Sequence, residues 1–238
     1  MLTPPRSTEP ELLDAHPAAD GRLAANLREM ALLHRWTGGA ALIWRALLEL
    51  AAGERGPLVV LELAAGDGSL GRWLAAAARQ RGLALELIAS DLQPAVAGIC
   101  RDQAPGTPTL VCDGLRLPFA DQAADLVMCA QTLHHLEPAA VAGLLGEAGR
   151  VARLGWVMTD LRRSWPGYWG ARLAALGPMT DLGRHDGPLS VLRAYTPGEM
   201  GRMVASAGLA GVALRRSLVH YGLVWRRPAG ERLERGRR

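Results

Sequence analysis

Leu58-Val-Val-Leu-Glu-Leu63, continued by Ala64-Ala65-Gly66-Asp67-Gly68-Ser69-Leu70-Gly71, decides how this chain folds. Leu58–Leu63 is a short apolar run bounded by Gly56-Pro57 and a glycine cluster. That pattern reads as a strand buried on both faces, and so as part of a parallel sheet. Small residues at a strand-to-helix turn let the backbone approach a ligand, and the helix N-terminus beyond favours negative groups. Gly66, Gly68 and Gly71 satisfy G-x-G-x-x-G, and Asp91 follows twenty residues after Gly71. By spacing alone this is a dinucleotide fingerprint. It is equally the spacing of a glycine-rich turn that binds nothing.

Outward from this loop the elements alternate. Residues 70–80 read as a helix, 83–90 as a strand ending in Asp91, and 94–103 as a helix opened by Pro94. Strands are expected at 109–112, ending in Asp113, at 125–129 and at 156–160, with a helix over 138–153 between the last two. This rhythm predicts an α/β protein with a Rossmann-like, seven-stranded, doubly wound sheet. Upstream, 22–36 and 40–52 read as helices, broken by Gly38-Gly39. Downstream, Thr196-Pro-Gly-Glu199 opens a helix, and strands at 211–216 and 218–225 form a C-terminal antiparallel hairpin. Residues 161–194 break the rhythm and read as a small cap insertion. The expected division is a leader and N-terminal helices over 1–56 and a cofactor-binding core over 57–160. A substrate cap follows over 161–195, the rest of the sheet over 196–225 and a basic tail over 226–238. Residues 1–20, rich in Pro, Glu and Asp, read as a loose leader.

All 27 basic residues among the 238 are Arg; there is no Lys. That excludes Schiff-base chemistry, a Walker-A phosphate loop and a Tyr–Lys hydride-transfer pair, each of which needs a lysine amine. The formal charge of +4 sits in Trp225–Arg238, with six Arg and two Glu, and the rest of the chain is balanced. Nucleic acid is therefore not an expected partner, because its footprint would extend over the folded part. Cys100, Cys112 and Cys129 have no zinc or redox-pair spacing, and no metal is expected. With no secretory signal and no apolar run of membrane length, a cytoplasmic protein without a membrane span is expected, as monomer or homodimer.

Three features turn the glycine loop away from nicotinamide cofactors. Glu62 precedes the loop, where a carboxylate would repel pyrophosphate but suits an ammonium group. Asp113-Gly114 ends the third strand, where a nicotinamide fold requires no acid. The Lys of the common small dehydrogenases is missing, as is a second nucleotide-binding half. With Glu62, Ala64, Gly66 and Gly68 standing as the acid-x-Gly-x-Gly-x-Gly motif, its first Gly replaced by Ala64, the sequence resembles the class I S-adenosylmethionine-dependent methyltransferases. The resemblance covers 58–160 and, in outline, 196–225. It implies S-adenosyl-L-methionine as cofactor and S-adenosyl-L-homocysteine as product. Glu62, Ala64, Gly66 and Gly68 would hold the methionine moiety. Asp91, followed by Leu92, would accept both ribose hydroxyls. Asp113, Gly114 and Leu115 would meet the adenine, and Ala130 would lie near the methionyl end. Leu133-His134-His135-Leu136 and the late helix–hairpin are similar to ubiquinone/menaquinone-biosynthesis-like methyltransferases. Asn26–Gly39 and 184–195 are similar to members found beside bacterial type III polyketide synthases. That likeness implies a small aromatic acceptor, phenolic or quinonoid.

Methyl transfer to a phenol requires alignment, exclusion of water and removal of a proton whose pKa is ~10 in water. His134 and His135, after the fourth strand, and His185, beside Asp186 in the cap, are the candidate bases. Each has a bland reading too: backbone hydrogen bonding for the pair, a surface turn for His185. Trp165, Tyr168 and Trp169 are candidate substrate-pocket walls or plain core, and Trp36 a candidate lid or a packed helix end. The leading expectation is O-methylation of a phenolic or quinol, polyketide-like acceptor. Alternatives are C-methylation of a quinone precursor, a non-catalytic cofactor-binding regulator and a nicotinamide-dependent oxidoreductase.

Overall fold

A computed structural model describes residues 3–15 and 20–233. Two N-terminal helices, α1 (Gly21–Trp36) and α2 (Gly39–Leu50), precede the sheet. There follow β1 (Leu58–Leu63), α3 (Ser69–Arg79), β2 (Leu85–Asp91), α4 (Pro94–Gln103), β3 (Thr109–Val111), β4 (Ala124–Ala130), α5 (Pro138–Val151) and β5 (Ala152–Leu161). The cap consists of α6 (Trp165–Ala174) and α7 (Asp181–Arg193); α8 (Pro197–Ser206), β6 (Ala213–Arg216) and β7 (His220–Arg226) complete the chain. The strand order is β3-β2-β1-β4-β5-β7-β6. β1 to β5 pair in parallel, and β7 runs antiparallel between β5 and β6. The expected fold class is the one observed.

Strand periodicity divides the core between the two faces of the sheet. Leu61, Leu63, Val127, Cys129, Trp156 and Met158 pack with α5 and α8. Leu58, Val60, Leu126, Met128, Leu154 and Val157 pack with α2 and α3. β5 starts four residues before the expected Trp156. The helix stops at Val151 and the strand follows without a turn, because Arg153 is anchored inside the sheet. Its Nε meets Asp125 Oδ1 and its Nη2 meets Glu54 Oε2, both at 2.6 Å. Asp125 Oδ2 also accepts from Val59 N at 2.9 Å, tying the N-terminal ends of β1, β4 and β5 together.

α8 begins with the expected cap: Thr196 Oγ1 accepts from Glu199 N, and Glu199 Oε2 accepts from Thr196 N at 2.7 Å. α7 is a different case. Gly183, Gly187 and Pro188 lie inside it, and each works against a helix. Its turns are held from outside, by the Thr180 N-cap, by Ser190 Oγ donating to Asp186 O at 2.8 Å, and by the leader. The leader is not loose where it is described. Leu12 N and Leu13 N both donate to the Asp186 carboxylate at 2.9 Å, and Ser7 N donates to Leu192 O at 3.1 Å. Arg6 Nε donates to Arg193 O at 2.9 Å, and its guanidinium lies 4.2 Å from the Tyr195 ring centre. Of the basic tail, residues 234–238 lie outside the described residues, as do 1, 2 and 16–19 of the leader.

Candidate functional site

The chain reverses its direction of winding between β1 and β4, and the crevice beyond their C-terminal ends is where such sheets bind ligands. A cavity of about 260 Å³ opens there. Its walls include Glu62, Ala64, Gly66, Asp91, Leu92, Ala130 and His135 among the expected residues, with Leu13 and Asp14 from the leader and His34 from α1. Gly66 and Gly68 have φ of 58° and 69°, in the left-handed region where glycine is unstrained. A Cβ on Gly68 would also lie 2.9 Å from Cys100 Sγ. Ala64 has φ 50° and adopts the same region without being glycine.

Two acids aim into this crevice. Glu62 is buried, and burial, reinforced by the charge of Asp67, pushes its carboxyl up to about 8, although Gly71 N–H donates to it. Burial also raises Asp91, against the hydrogen bonds it accepts from Gln93 N at 3.1 Å and Gly66 N at 3.4 Å. A buried carboxylate beside a glycine turn and a second acid on the next strand fit a ligand bearing an ammonium group and adjacent hydroxyls. Asp113, Gly114 and Leu115 do not border the cavity. Asp113 is exposed at the end of β3, where its Oδ1 accepts from Leu115 N at 2.9 Å.

The three candidate histidines are scattered. His134 is 1% exposed and does not border this cavity; its Nδ1 lies 2.7 Å from Asp160 Oδ1 and its Nε2 3.5 Å from Glu11 Oε1. Burial opposes its charge, but Asp160 and Glu11 outweigh burial and raise it to about 10. His135 borders the cavity, with Nδ1 2.8 Å from Asp14 Oδ1. His185 lies in the middle of α7, not in a turn, half exposed and paired with Asp186 at 2.8 Å, and it does not border this cavity. Sequence reading did not single out His34, within the helix expected over 22–36. It is buried in the cavity wall, with Nε2 3.2 Å from Thr159 Oγ1. Burial and the neighbouring His220 ring push it down to about 3, so it is a neutral imidazole. Gly39 makes room for it, since a Cβ there would collide with the His34 ring.

A second cavity of about 290 Å³ adjoins the first at Met30 and Gln131 and lies between α1, α6 and α7. Its α6 wall is Gly167, Gly170, Ala171 and Ala174, and its α7 wall includes Gly183 and Gly187. These small residues create the space. Asn26 and Glu29 of α1 line it; their buried Oδ1 and Oε1 have no hydrogen-bond partner, Oε1 packing against Gly183, while Glu29 Oε2 accepts from Thr180 N at 2.7 Å. Trp165, Tyr168 and Trp169 line neither cavity. They stack edge to face along the outer side of α6, and Trp169 is 61% exposed. Trp36, at the end of α1, is 82% exposed.

Residues 60–155 match the methyltransferase domain family. The chain is 32% identical over 123 residues to the ubiquinone/menaquinone biosynthesis C-methyltransferase UbiE of Cupriavidus necator, covering 50% of this chain and 49% of that one. It is 34% identical over 116 residues to UbiE of Burkholderia multivorans, covering 47% and 46%. The chain thus matches about half the length of these curated relatives. Among solved structures it is similar to an S-adenosylmethionine-dependent methyltransferase from Aquifex aeolicus, with TM-score 0.52 and 17% identity over 82% of this chain and 97% of that one. It is also similar to magnesium protoporphyrin IX methyltransferase from Synechocystis with bound S-adenosylhomocysteine, with TM-score 0.54 and 17% identity over 80% and 84%. At such identity the structural likeness is one of fold. Together, the sheet order and these matches identify residues 60–155 as a match to the methyltransferase domain family, on the fold that the similar solved methyltransferases share.

Proposed function

We propose that this chain transfers a methyl group from S-adenosylmethionine to a hydroxylated aromatic small molecule, a phenol or quinol, seated in the second cavity. The observation that carries this reading is the pair of adjoining cavities. One is acid-flanked at the strand ends; the other is largely apolar with two unpartnered acceptor oxygens, Asn26 Oδ1 and Glu29 Oε1. A buried acceptor atom without a donor is costly, and a ligand hydroxyl would satisfy it.

In this reading Glu62 faces the cofactor's ammonium group and Asp91 accepts its ribose hydroxyls. Ala64, Gly66, Gly68 and Leu92 shape the wall around it, and Ala130 marks the end nearest the second cavity. Asp113, Gly114 and Leu115 would serve the adenine edge from the open side. When bound, S-adenosylmethionine supplies an electrophilic methyl group and a neutral sulfur leaving group, so no acid is needed. The protein's part is alignment, exclusion of water and acceptance of the phenolic proton. Alignment alone supplies a large share of the rate, with effective molarities of ~10⁵ M or more. Of the three histidines, His135 has the best access to the first cavity, but its Nδ1 is taken by Asp14. Glu29, whose second oxygen is anchored on Thr180 N, is better placed to hold the acceptor's hydroxyl and receive its proton.

C-methylation of a quinone precursor is the second reading, favoured by the UbiE relatives. It shares the cavities and differs in the acceptor atom. The test is transfer of labelled methyl to a panel of phenols, quinols, quinone precursors and RNA, with product ester, ether and ring positions resolved by mass spectrometry. Ring methylation would replace O-methylation; transfer to RNA alone would overturn the substrate class. Calorimetry with S-adenosylhomocysteine and with NAD tests the cofactor itself. Binding of NAD and not of S-adenosylhomocysteine would revive the oxidoreductase alternative; binding of S-adenosylhomocysteine without transfer to any acceptor would favour a regulatory module.

A further inference from the structure

Where the leader crosses the end of β4, Glu11, His134 and His135 bring three ligand atoms within 4.8 Å of one another, although Glu11 lies more than 120 residues from the histidines. His134 Nε2 is 3.5 Å from Glu11 Oε1, and His135 Nε2 is 3.7 Å from Glu11 Oε2. These separations are too long for good hydrogen bonds. Bonds of about 2.1 Å at tetrahedral angles put ligand atoms about 3.4 Å apart, which the observed spacing nearly matches. Glu11 and His134 are each 1% exposed, and Glu11 Oε2 and His134 Nε2 have no hydrogen-bond partner. Two buried, unpartnered atoms therefore face one small space.

The surroundings favour a cation. Both rings direct Nδ1 at a carboxylate, His134 at Asp160 (2.7 Å) and His135 at Asp14 (2.8 Å). Such carboxylate–histidine pairs fix the tautomer that leaves Nε2 free as a metal ligand. Around the cluster stand three carboxylates, Glu11, Asp14 and Asp160, and two guanidinium groups: Arg193 touches Glu11 and Asp14 at 3.7 and 3.2 Å, and Arg6 Nη2 lies 3.5 Å from His134 O. A divalent cation bound there would displace the ring proton that the carboxylates otherwise hold on His134, and with both rings neutral the carboxylates still outnumber the guanidinium groups.

We propose that Glu11, His134 and His135 form a three-ligand site for a zinc-type divalent cation, which clasps the leader to the core. Two imidazoles and one carboxylate suit Zn²⁺, Co²⁺ or Fe²⁺ and not the oxygen-seeking Mg²⁺ or Ca²⁺. A fourth position is left for water. Leu13 and Asp14, next along the leader from Glu11, are part of the wall of the first cavity, so the clasp holds one side of that cavity closed. The site is independent of which acceptor the protein methylates.

The test uses the full chain, stripped with a chelator and titrated at pH 7.5 with Co²⁺, reading visible absorption, then with Zn²⁺ in competition. One equivalent is expected, with Glu11→Ala and His135→Ala each weakening it by about tenfold or more. His135 is partly exposed, so its variant is expected to fold even if the Glu11 variant does not. Hydrogen exchange at residues 3–15 should slow when Zn²⁺ is added. Absence of saturable one-equivalent binding would overturn the proposal and leave the cluster as a protonated ion network. Binding that persists unchanged in the folded His135 variant would overturn it too, because the metal would then sit elsewhere.

Discussion

The two cavities meet at Met30 and Gln131, yet they are built in opposite ways. The first is walled largely by residues at the ends of neighbouring parallel strands, where backbone conformation and two acids define the ligand. The second is walled by helices, and its shape is set by missing side chains: Gly167, Gly170, Ala171, Gly183 and Gly187. In the proposed reading, recognition in the first depends on charge and hydrogen bonds, and in the second mainly on volume, with a few polar groups such as Asn26 and Glu29 to orient a guest. Damage to the two should therefore separate: volume changes in the cap should cost turnover, and changes in the loop should cost cofactor affinity.

The largest effect is expected from Ala171→Phe, which fills the second cavity. Transfer to the acceptor should fall by about 100-fold or more, the size of loss that misplacing a reactant brings. S-adenosylhomocysteine affinity, measured by calorimetry, should stay within about twofold. A matching loss of cofactor affinity would show that the cavities do not separate. Next in size is Asp91→Ala. Losing the acceptor for two ribose hydroxyls should weaken S-adenosylhomocysteine by about tenfold or more, about 1.4 kcal/mol. Unchanged affinity would place the ribose elsewhere and break the assignment of the first cavity.

Acidity supplies a third probe. Glu62 titrates near 8 in the free protein, so at pH 7 it is mostly protonated. A bound ammonium group would favour the carboxylate, and binding would release a proton. Affinity should then rise with pH up to about 8, by at most about tenfold per unit, and level off above. Calorimetry in two buffers of different ionisation enthalpy detects the proton; no release at pH 7 would mean the ammonium does not meet Glu62. The smallest effect concerns Ala64, whose φ of 50° is costly for a residue with a Cβ. Ala64→Gly should stabilise the chain by about 0.5–1 kcal/mol and raise Tm by about 2 °C. A lower Tm would show that the turn is not strained.

The same contrast explains what was legible in the sequence. Leu58–Leu63 and the loop after it are contiguous, and their chemistry follows from strand patterning and from glycine at left-handed positions. That Glu62 and Asp91 stand at the ends of neighbouring strands, beside one crevice, could thus be expected before any coordinates. α7 was not legible, because Gly183, Gly187 and Pro188 oppose a helix that tertiary contacts impose. The surface-turn reading of His185 therefore fails, since it is helical, and neither reading of Trp165, Tyr168 and Trp169, pocket wall or plain core, anticipated that Trp165 and Trp169 are exposed. His34 could have been found only by asking why a polar ring sits on an otherwise apolar face. The Glu11–His134–His135 cluster had no sequence signal, since Glu11 comes from the leader and the histidines from more than 120 residues further along.

The leader's anchors lie far along the chain. Leu12 and Leu13 meet Asp186 across 174 and 173 residues, and Arg193 reaches Glu9 and Asp14 across 184 and 179. Contacts of such high order close the longest loops in the molecule, and their entropy must be met before they return any stability. This segment is therefore expected to join the structure after the sheet and to detach before it, as a small cooperative unit of its own. The leader would complete the site last, and how long a bound molecule stays would be set in part by how often residues 3–15 let go.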